Sequence, residues 1–206
     1  MIAYASRTGT KRNLEALRRA GWRLMVSAKG VLRHEGFRYA LDNGAWHAFT
    51  NKLPFDEASF LAAVDKLGKN ADFVVLPDIV AGGERSLAFS MSWAHRLDRS
   101  CPQLLAVQDG MTADMIAPLV GPARGIFVGG TDKFKETSLP VWSRLAHERK
   151  AYLHVGRVNT KRRIFLCEAA GAHSFDGSGP SRYASELGYL DNARKQQDIF
   201  NERCRD

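Results

Sequence analysis

Cysteine is scarce in this 206-residue chain: Cys101, Cys167 and Cys204 are the whole supply, with no Cys-x-x-Cys pair among them. That number and spacing argue against a disulfide framework and a cysteine-built zinc site, and read as reduced thiols in a cytoplasmic protein. No apolar run approaches the roughly 20 residues of a membrane helix. The N-terminus has no charged-then-apolar leader, so neither a spanning segment nor a secretory signal is expected. No Gly-x-Gly-x-x-Gly follows the first apolar run, which disfavours a dinucleotide-binding fold. Internal repeats and low-complexity stretches are missing as well.

What is present is ordinary for a globular protein, with 45% apolar and 25% charged residues. The length suits a single core that needs no staples. Lys and Arg outnumber Asp and Glu by 30 to 22, a net charge of +8. A basic surface fits a polyanionic partner, although many basic proteins bind no nucleic acid.

Short apolar, β-branched runs recur along the chain and alternate with helical patterns. Ile2 to Ala5, Arg23 to Ser27, Phe37 to Leu41, Phe73 to Pro77, Leu104 to Val107, Gly125 to Val128, Ala151 to Val155 and Ala172 to Phe175 read as eight strands. Helices are expected from Lys11 to Ala20 behind Thr10, over Pro54–Leu67, from Glu84 to about Arg99, from Thr112, over Lys135–Lys150, and from an Asn159 cap to Ala170. The link between the second and third strands is too short for a full crossover helix. Eight strands separated mostly by helices predict a compact (β/α) TIM-type barrel, with a doubly wound sheet as the competitor. The barrel is expected over residues 1–190, followed by a polar tail or surface helix over 191–206.

The strand ends carry the chemistry. They read Asp42-Asn43-Gly44, Asp78, Gln108-Asp109-Gly110, Gly129-Gly130 and Asp176-Gly177. In a barrel these ends share one face, where active sites are built. Any one such Asp is more often a helix N-cap or turn residue. Several at equivalent ends supply a nucleophile or base, a second acid, an amide and glycines that admit a planar ligand.

In order and content these motifs resemble those of the tRNA-guanine transglycosylases and their 7-deazaguanine DNA-modifying relatives. Leu41-Asp42-Asn43-Gly44-Ala45-Trp46-His47-Ala48-Phe49 is similar to their Asp-Ser-Gly-Gly-Phe-Gln-Val-Phe segment. Asp78 stands where they carry a base-recognising aspartate. Val107-Gln108-Asp109-Gly110 and Phe127-Val128-Gly129-Gly130 resemble their Val-Gln-Gly-Gly and Ile-Gly-Gly. Phe175-Asp176-Gly177-Ser178-Gly179-Pro180-Ser181-Arg182 resembles the Phe-Asp-Cys-Val-Leu-Pro-Thr-Arg that carries their nucleophile.

The resemblance implies a pentosyltransferase that exchanges bases. Asp176 would attack the sugar carbon of a guanosine nucleotide, and Asp42 would serve as general acid–base. Asn43, Asp78, Gln108, Gly129 and Gly130 would hold the base. The cysteine and histidine cluster that follows the nucleophile in the tRNA enzymes has no counterpart here, nor does their Gly-Glu after Gly130, where Thr131-Asp132-Lys133 stands. The closer match is therefore the phage and bacterial DNA branch, which inserts 7-cyano-7-deazaguanine or a relative. Exchange on tRNA and a catalytically silent nucleic-acid-binding subunit are the alternatives. Guanine and a free 7-deazaguanine are the implied small molecules, with no cofactor, metal or membrane. A homodimer or an accessory nucleic-acid-binding subunit stays open.

Basic residues mark where a polymer backbone would lie. Arg157, Lys161, Arg162 and Arg163 follow the seventh strand, where barrels often bind phosphate, and Arg182 follows the expected nucleophile. A solvated helix face explains the run from 157 to 163 equally well. Trp46 and Phe49 suit base stacking or core packing. His47, His154 and His173 lack metal spacing and read as structural histidines.

Overall fold

The computed structural model describes residues 1–97 and 101–196. Eight parallel strands close into a barrel in sequence order: β1 (Ile2–Ser6), β2 (Arg23–Ser27), β3 (Tyr39–Asp42), β4 (Val74–Val75), β5 (Gln103–Val107), β6 (Arg124–Val128), β7 (Leu153–Val155) and β8 (Ser174–Gly177). The last strand pairs with the first, Tyr4 lying beside Asp176. Around them run α1 (Lys11–Arg19), α2 (Ala45–Thr50), α3 (Glu57–Leu67), α4 (Glu84–Ala94), α5 (Ala113–Ile116), α6 (Asp132–Arg149), α7 (Lys161–Ala169), α8 (Gly179–Arg182) and α9 (Ala184–Gln196). This is the expected TIM-type barrel, and no helix crosses between β2 and β3.

Strand alternation sorts side chains to two sides. Tyr4, Met25, Ala40, Phe73, Val75 and Leu104 fill the barrel interior with Phe127 and Tyr152. Their neighbours Ala3, Leu24, Val26, Leu41, Val74 and Leu105 join the shell that packs on the helices. The same parity carries inward from Ala40 to Asp42, from Ala106 to Gln108, and from Ser174 to Asp176. At the opposite end a polar plug closes the interior. Tyr4 Oη donates to Asp72 at 2.9 Å, and Asp72 also pairs with Arg23 at 3.0 Å and Arg38 at 2.7 Å.

Several boundaries differ from the sequence reading for local reasons. Asn159 does not cap α7; the Thr160 hydroxyl accepts from the Arg163 amide, and Asn159 Oδ1 accepts from Gly179 N at 3.0 Å instead. α3 starts at Glu57 because Asp56 caps it, accepting from Ser59 N at 2.9 Å. Its core face is Phe60, Ala63 and Leu67, while Leu61 is exposed. α4 ends at Ala94, and the expected end near Arg99 lies outside the described residues.

The expected domain end at residue 190 falls inside α9, which continues to Gln196. Leu187, Leu190 and Ala193 are buried, and Trp22 Nε1 donates to Asp191 Oδ1 at 3.0 Å. Residues 191–196 thus belong to the barrel's coat, because burying that face against α1 and α7 covers apolar surface. The rest of the expected tail, with Cys204, lies outside the described residues. Among the described residues no helix is long and apolar enough to cross a membrane.

Candidate active site

The C-terminal ends of the strands surround a cavity of about 540 Å³. Asp42, Asn43, Asp78, Gln108, Gly129, Gly130, Arg157, Asp176 and Arg182 all line it. Every expected catalytic and base-binding residue is thus gathered in one place. Lys161, Arg162 and Arg163 are not. Arg162 pairs with Glu136 at 2.9 Å, Arg163 bridges Asp132 and Glu136, and Lys161 lies over the Tyr189 ring at 4.2 Å. Two acids of α6 answer the cations of α7, so that part of the basic run joins two helices.

Asp42 ends β3, and its Oδ2 accepts from the Gly44 amide at 3.1 Å, where Gly44 turns the chain at φ +81°. Burial and then the charge of Asp176 push its carboxyl up to about 6, against hydrogen bonds from Ser27 and the backbone. Burial also raises Asp78 to about 6, with Asn43 opposing and the charge of Asp42 assisting. Burial disfavours the charged form of each acid, and the neighbouring carboxylate adds to this. Both are therefore poised to exchange protons near neutral pH.

Asn43 is support for Asp78 and is not free to read a base. Its Nδ2 donates to Leu76 O at 2.7 Å and Asp78 Oδ1 at 2.8 Å, while its Oδ1 accepts from Ala45 N at 2.8 Å. Gln108 is buried and donates through Nε2 to Ile79 O at 2.9 Å, which aims the amide, and its oxygen has no hydrogen bond among the described residues. The Gly129 amide is tied to Val107 O at 2.9 Å. Gly130, at φ +74°, turns beside Asp109, whose carboxylate accepts from the Thr131 amide and hydroxyl. Of the two glycine amides, only Gly130's is outside the barrel's hydrogen-bond ladder among the described residues.

Asp176 lies within β8 rather than just past it. Its Oδ1 is 2.9 Å from His154 Nε2, and its Oδ2 is 3.3 Å from the Arg157 amide. His154 Nδ1 in turn is 2.7 Å from Ser174 Oγ. His154 is thus a partner of Asp176 that the sequence did not reveal. Its partner is 22 positions away and is met only through the pairing of β7 with β8. The order Ser174–His154–Asp176 is not that of a serine hydrolase site, because Ser174 is fully buried and lies outside the cavity lining.

Arg157 and Trp46 meet across the mouth. The guanidinium stands 4.0 Å from the Trp46 ring centroid, and Arg157 holds a left-handed backbone at φ +57°. Trp46 and Phe49 are half-exposed on α2, a helix too short to show in the sequence pattern. Lys135 also lines the cavity although it is buried, donating to Gly156 O and paired with Asp132 at 3.1 Å each. No sequence signal singles it out on α6. Among the described residues no group of three or more His, Cys, Asp or Glu could hold a metal ion.

Neither a family model nor a curated protein sequence matches this chain. Among solved structures it is similar to the Haloferax volcanii malate synthase lead(II) complex, with a TM-score of 0.54 and 12% identity over 93% of this chain and 72% of that one. At that identity the likeness is one of fold, and the fold is the barrel.

Proposed function

We propose that this chain is an enzyme, a base-exchange transglycosylase that replaces guanine in DNA with a 7-deazaguanine such as 7-cyano-7-deazaguanine. One observation carries the reading. Asp42, Asp78, Gln108 and Asp176 line a single cavity at the C-terminal mouth of the barrel, and the Asp42 carboxyl sits near 6 under the charge of Asp176. The motif order that resembles the guanine transglycosylases supplies the substrate class, and the DNA branch of that resemblance supplies the polymer.

The chemistry follows from where each group stands. Asp176 Oδ2 attacks the anomeric carbon as the bond to the base breaks, through a centre of oxocarbenium character. Asp42 gives a proton to the departing base and takes one from the incoming base, which a carboxyl near 6 does well at neutral pH. Asp78, steadied by Asn43, and Gln108, steadied by the Ile79 carbonyl, face the base edge. The Gly130 amide is offered to its carbonyl. Departing and incoming bases are similar leaving groups, so exchange needs no external energy source.

Arg182 and Arg157 at the rim suit the flanking phosphates, which position a strand without reading its sequence. Exchange of labelled guanine into duplex DNA, single-stranded DNA and tRNA, run in parallel with purified protein, tests the assignment. Incorporation into DNA supports it, incorporation into tRNA alone replaces the polymer, and no exchange with guanine or any 7-deazaguanine removes the activity.

A further inference from the structure

We propose that His154 is a positioning residue for Asp176, holding one carboxylate oxygen still so that the other attacks the sugar; this rests on Asp176 being the nucleophile. His154 is fully buried inside the barrel. Its ring stacks on Phe127 with centroids 4.9 Å apart, and the rings of Phe73 and Tyr4 lie 5.1 and 5.8 Å away. Three rings from three other strands or strand ends fix its plane, so its two nitrogens point in set directions.

The partners of those nitrogens decide where the proton sits. Nε2 is 2.9 Å from Asp176 Oδ1, and Nδ1 is 2.7 Å from Ser174 Oγ. A carboxylate only accepts, so Nε2 must carry hydrogen; in a neutral ring Nδ1 then accepts from the Ser174 hydroxyl. The reverse tautomer would set a nitrogen lone pair against a carboxylate oxygen. The other titratable group packed on the ring is Tyr4, whose hydroxyl donates away toward Asp72. Among the described residues no cation pairs with the imidazole: Lys135 is committed to Gly156 O and Asp132, and Arg157 to the Trp46 ring.

The two oxygens of Asp176 are thereby made unequal. Oδ1 has a short bond from His154, while Oδ2 has among the described residues only the Arg157 amide at 3.3 Å, long for such a bond. Oδ2 is the attacking atom. As its bond to the sugar carbon forms, the bond from that carbon to the base breaks. The electron pair leaves with the base, which takes its proton from Asp42. Oδ1 becomes the carbonyl oxygen of the ester and keeps its bond from Nε2. A neutral donor serves both the carboxylate and the ester. An imidazolium would hold the carboxylate back as an ion pair. His154 neither gives nor takes a proton in this sequence.

The experiment compares His154→Phe and His154→Gln by single-turnover formation of the denaturation-resistant enzyme–nucleic acid adduct, with melting temperature followed alongside. His154→Phe keeps the stack and loses the donor, and lowers the adduct rate about 100-fold while affinity for the free base changes less than about twofold. His154→Gln restores an N–H donor and recovers about tenfold of that loss. A wild-type rate in His154→Phe, or a loss confined to base affinity, overturns the positioning role. If wild-type protein forms no adduct, the exchange reading fails first and takes the proposal with it, an outcome distinct from an adduct indifferent to His154. Where His154→Phe does not fold, the ring nitrogen resonances of wild-type protein decide. A hydrogen on Nε2, facing Asp176, is expected, and a ring that carries its hydrogen on Nδ1 alone overturns the proposal.

Discussion

Asp42 and Asp176 are coupled across the barrel mouth: burial first, and then the charge of Asp176, drives the Asp42 carboxyl up to about 6. Replacing Asp176 by Asn removes the second cause and leaves the first. The Asp42 titration then shifts downward from 6 yet stays above the ordinary value near 3.8. Carbon-13 titration of the Asp42 carboxyl in the two proteins measures this. An unmoved value would mean the two acids do not sense each other.

Asp78 gives a stability prediction whose sign is fixed by linkage. Its folded value near 6 lies above the ordinary 3.8, so the folded state holds a proton that the unfolded state has lost between those values. Stability from this group is complete below pH 3.8 and falls as pH rises through 6, by at most about 3 kcal/mol. Asp78→Asn cannot ionise and still accepts from Asn43. The melting temperature of Asp78→Asn relative to wild type therefore climbs from pH 4 to pH 8. A difference that is flat with pH contradicts the burial of the charge.

The paired glycines after β6 differ in what they tolerate. A methyl group on Gly130 falls 2.6 Å from Asp109 Oδ2 and 2.9 Å from the Phe134 ring, at φ +74°. On Gly129 the nearest atom is Val107 O at 3.4 Å, an ordinary contact. Gly130→Ala loses about 1 to 3 kcal/mol in urea denaturation, through strain and the disturbed clasp between Asp109 and Thr131. Gly129→Ala loses less than about 1 kcal/mol. Equal losses would place the turn elsewhere.

Trp46 is a built-in reporter of the mouth. Trp22, Trp93 and Trp142 are buried, whereas Trp46 is half-exposed beneath the Arg157 guanidinium. Binding of a strand that engages Arg157 changes Trp46 emission, and Trp46→Phe removes that change while leaving the remaining fluorescence alone. Arg157→Ala weakens binding and lowers its salt dependence by about one phosphate contact. A salt dependence identical to wild type would leave Arg157 without a phosphate.

Much of this arrangement was legible in the chain. Buried β-branched runs such as Phe73 to Leu76 end in Asp, Gln or Gly, and a closed barrel turns those endings into one lining. What stayed hidden depends on contacts between distant segments. His154 meets Asp176 only because β7 and β8 pair in one register. Asn43 looked free to read a base until the Leu76 carbonyl and Asp78 claimed its amide. The run from 157 to 163 read equally as a phosphate patch or a solvated helix face, because Asp132 and Glu136, which pair with Arg162 and Arg163, sit on the preceding helix. The six residues of α2 are too few to carry a period, and the stretch from 191 read as a polar tail or surface helix because its buried residues are sparse.

The central claim is that Asp176 forms a covalent bond to a nucleic-acid sugar. Incubating the protein with guanine-containing DNA, denaturing it, and resolving protein from protein–DNA adduct by mass measures this directly. An adduct that forms in wild type, disappears in Asp176→Ala and maps to the peptide containing Asp176 is the predicted result. An adduct that survives Asp176→Ala, or base exchange that proceeds without Asp176, would contradict the account.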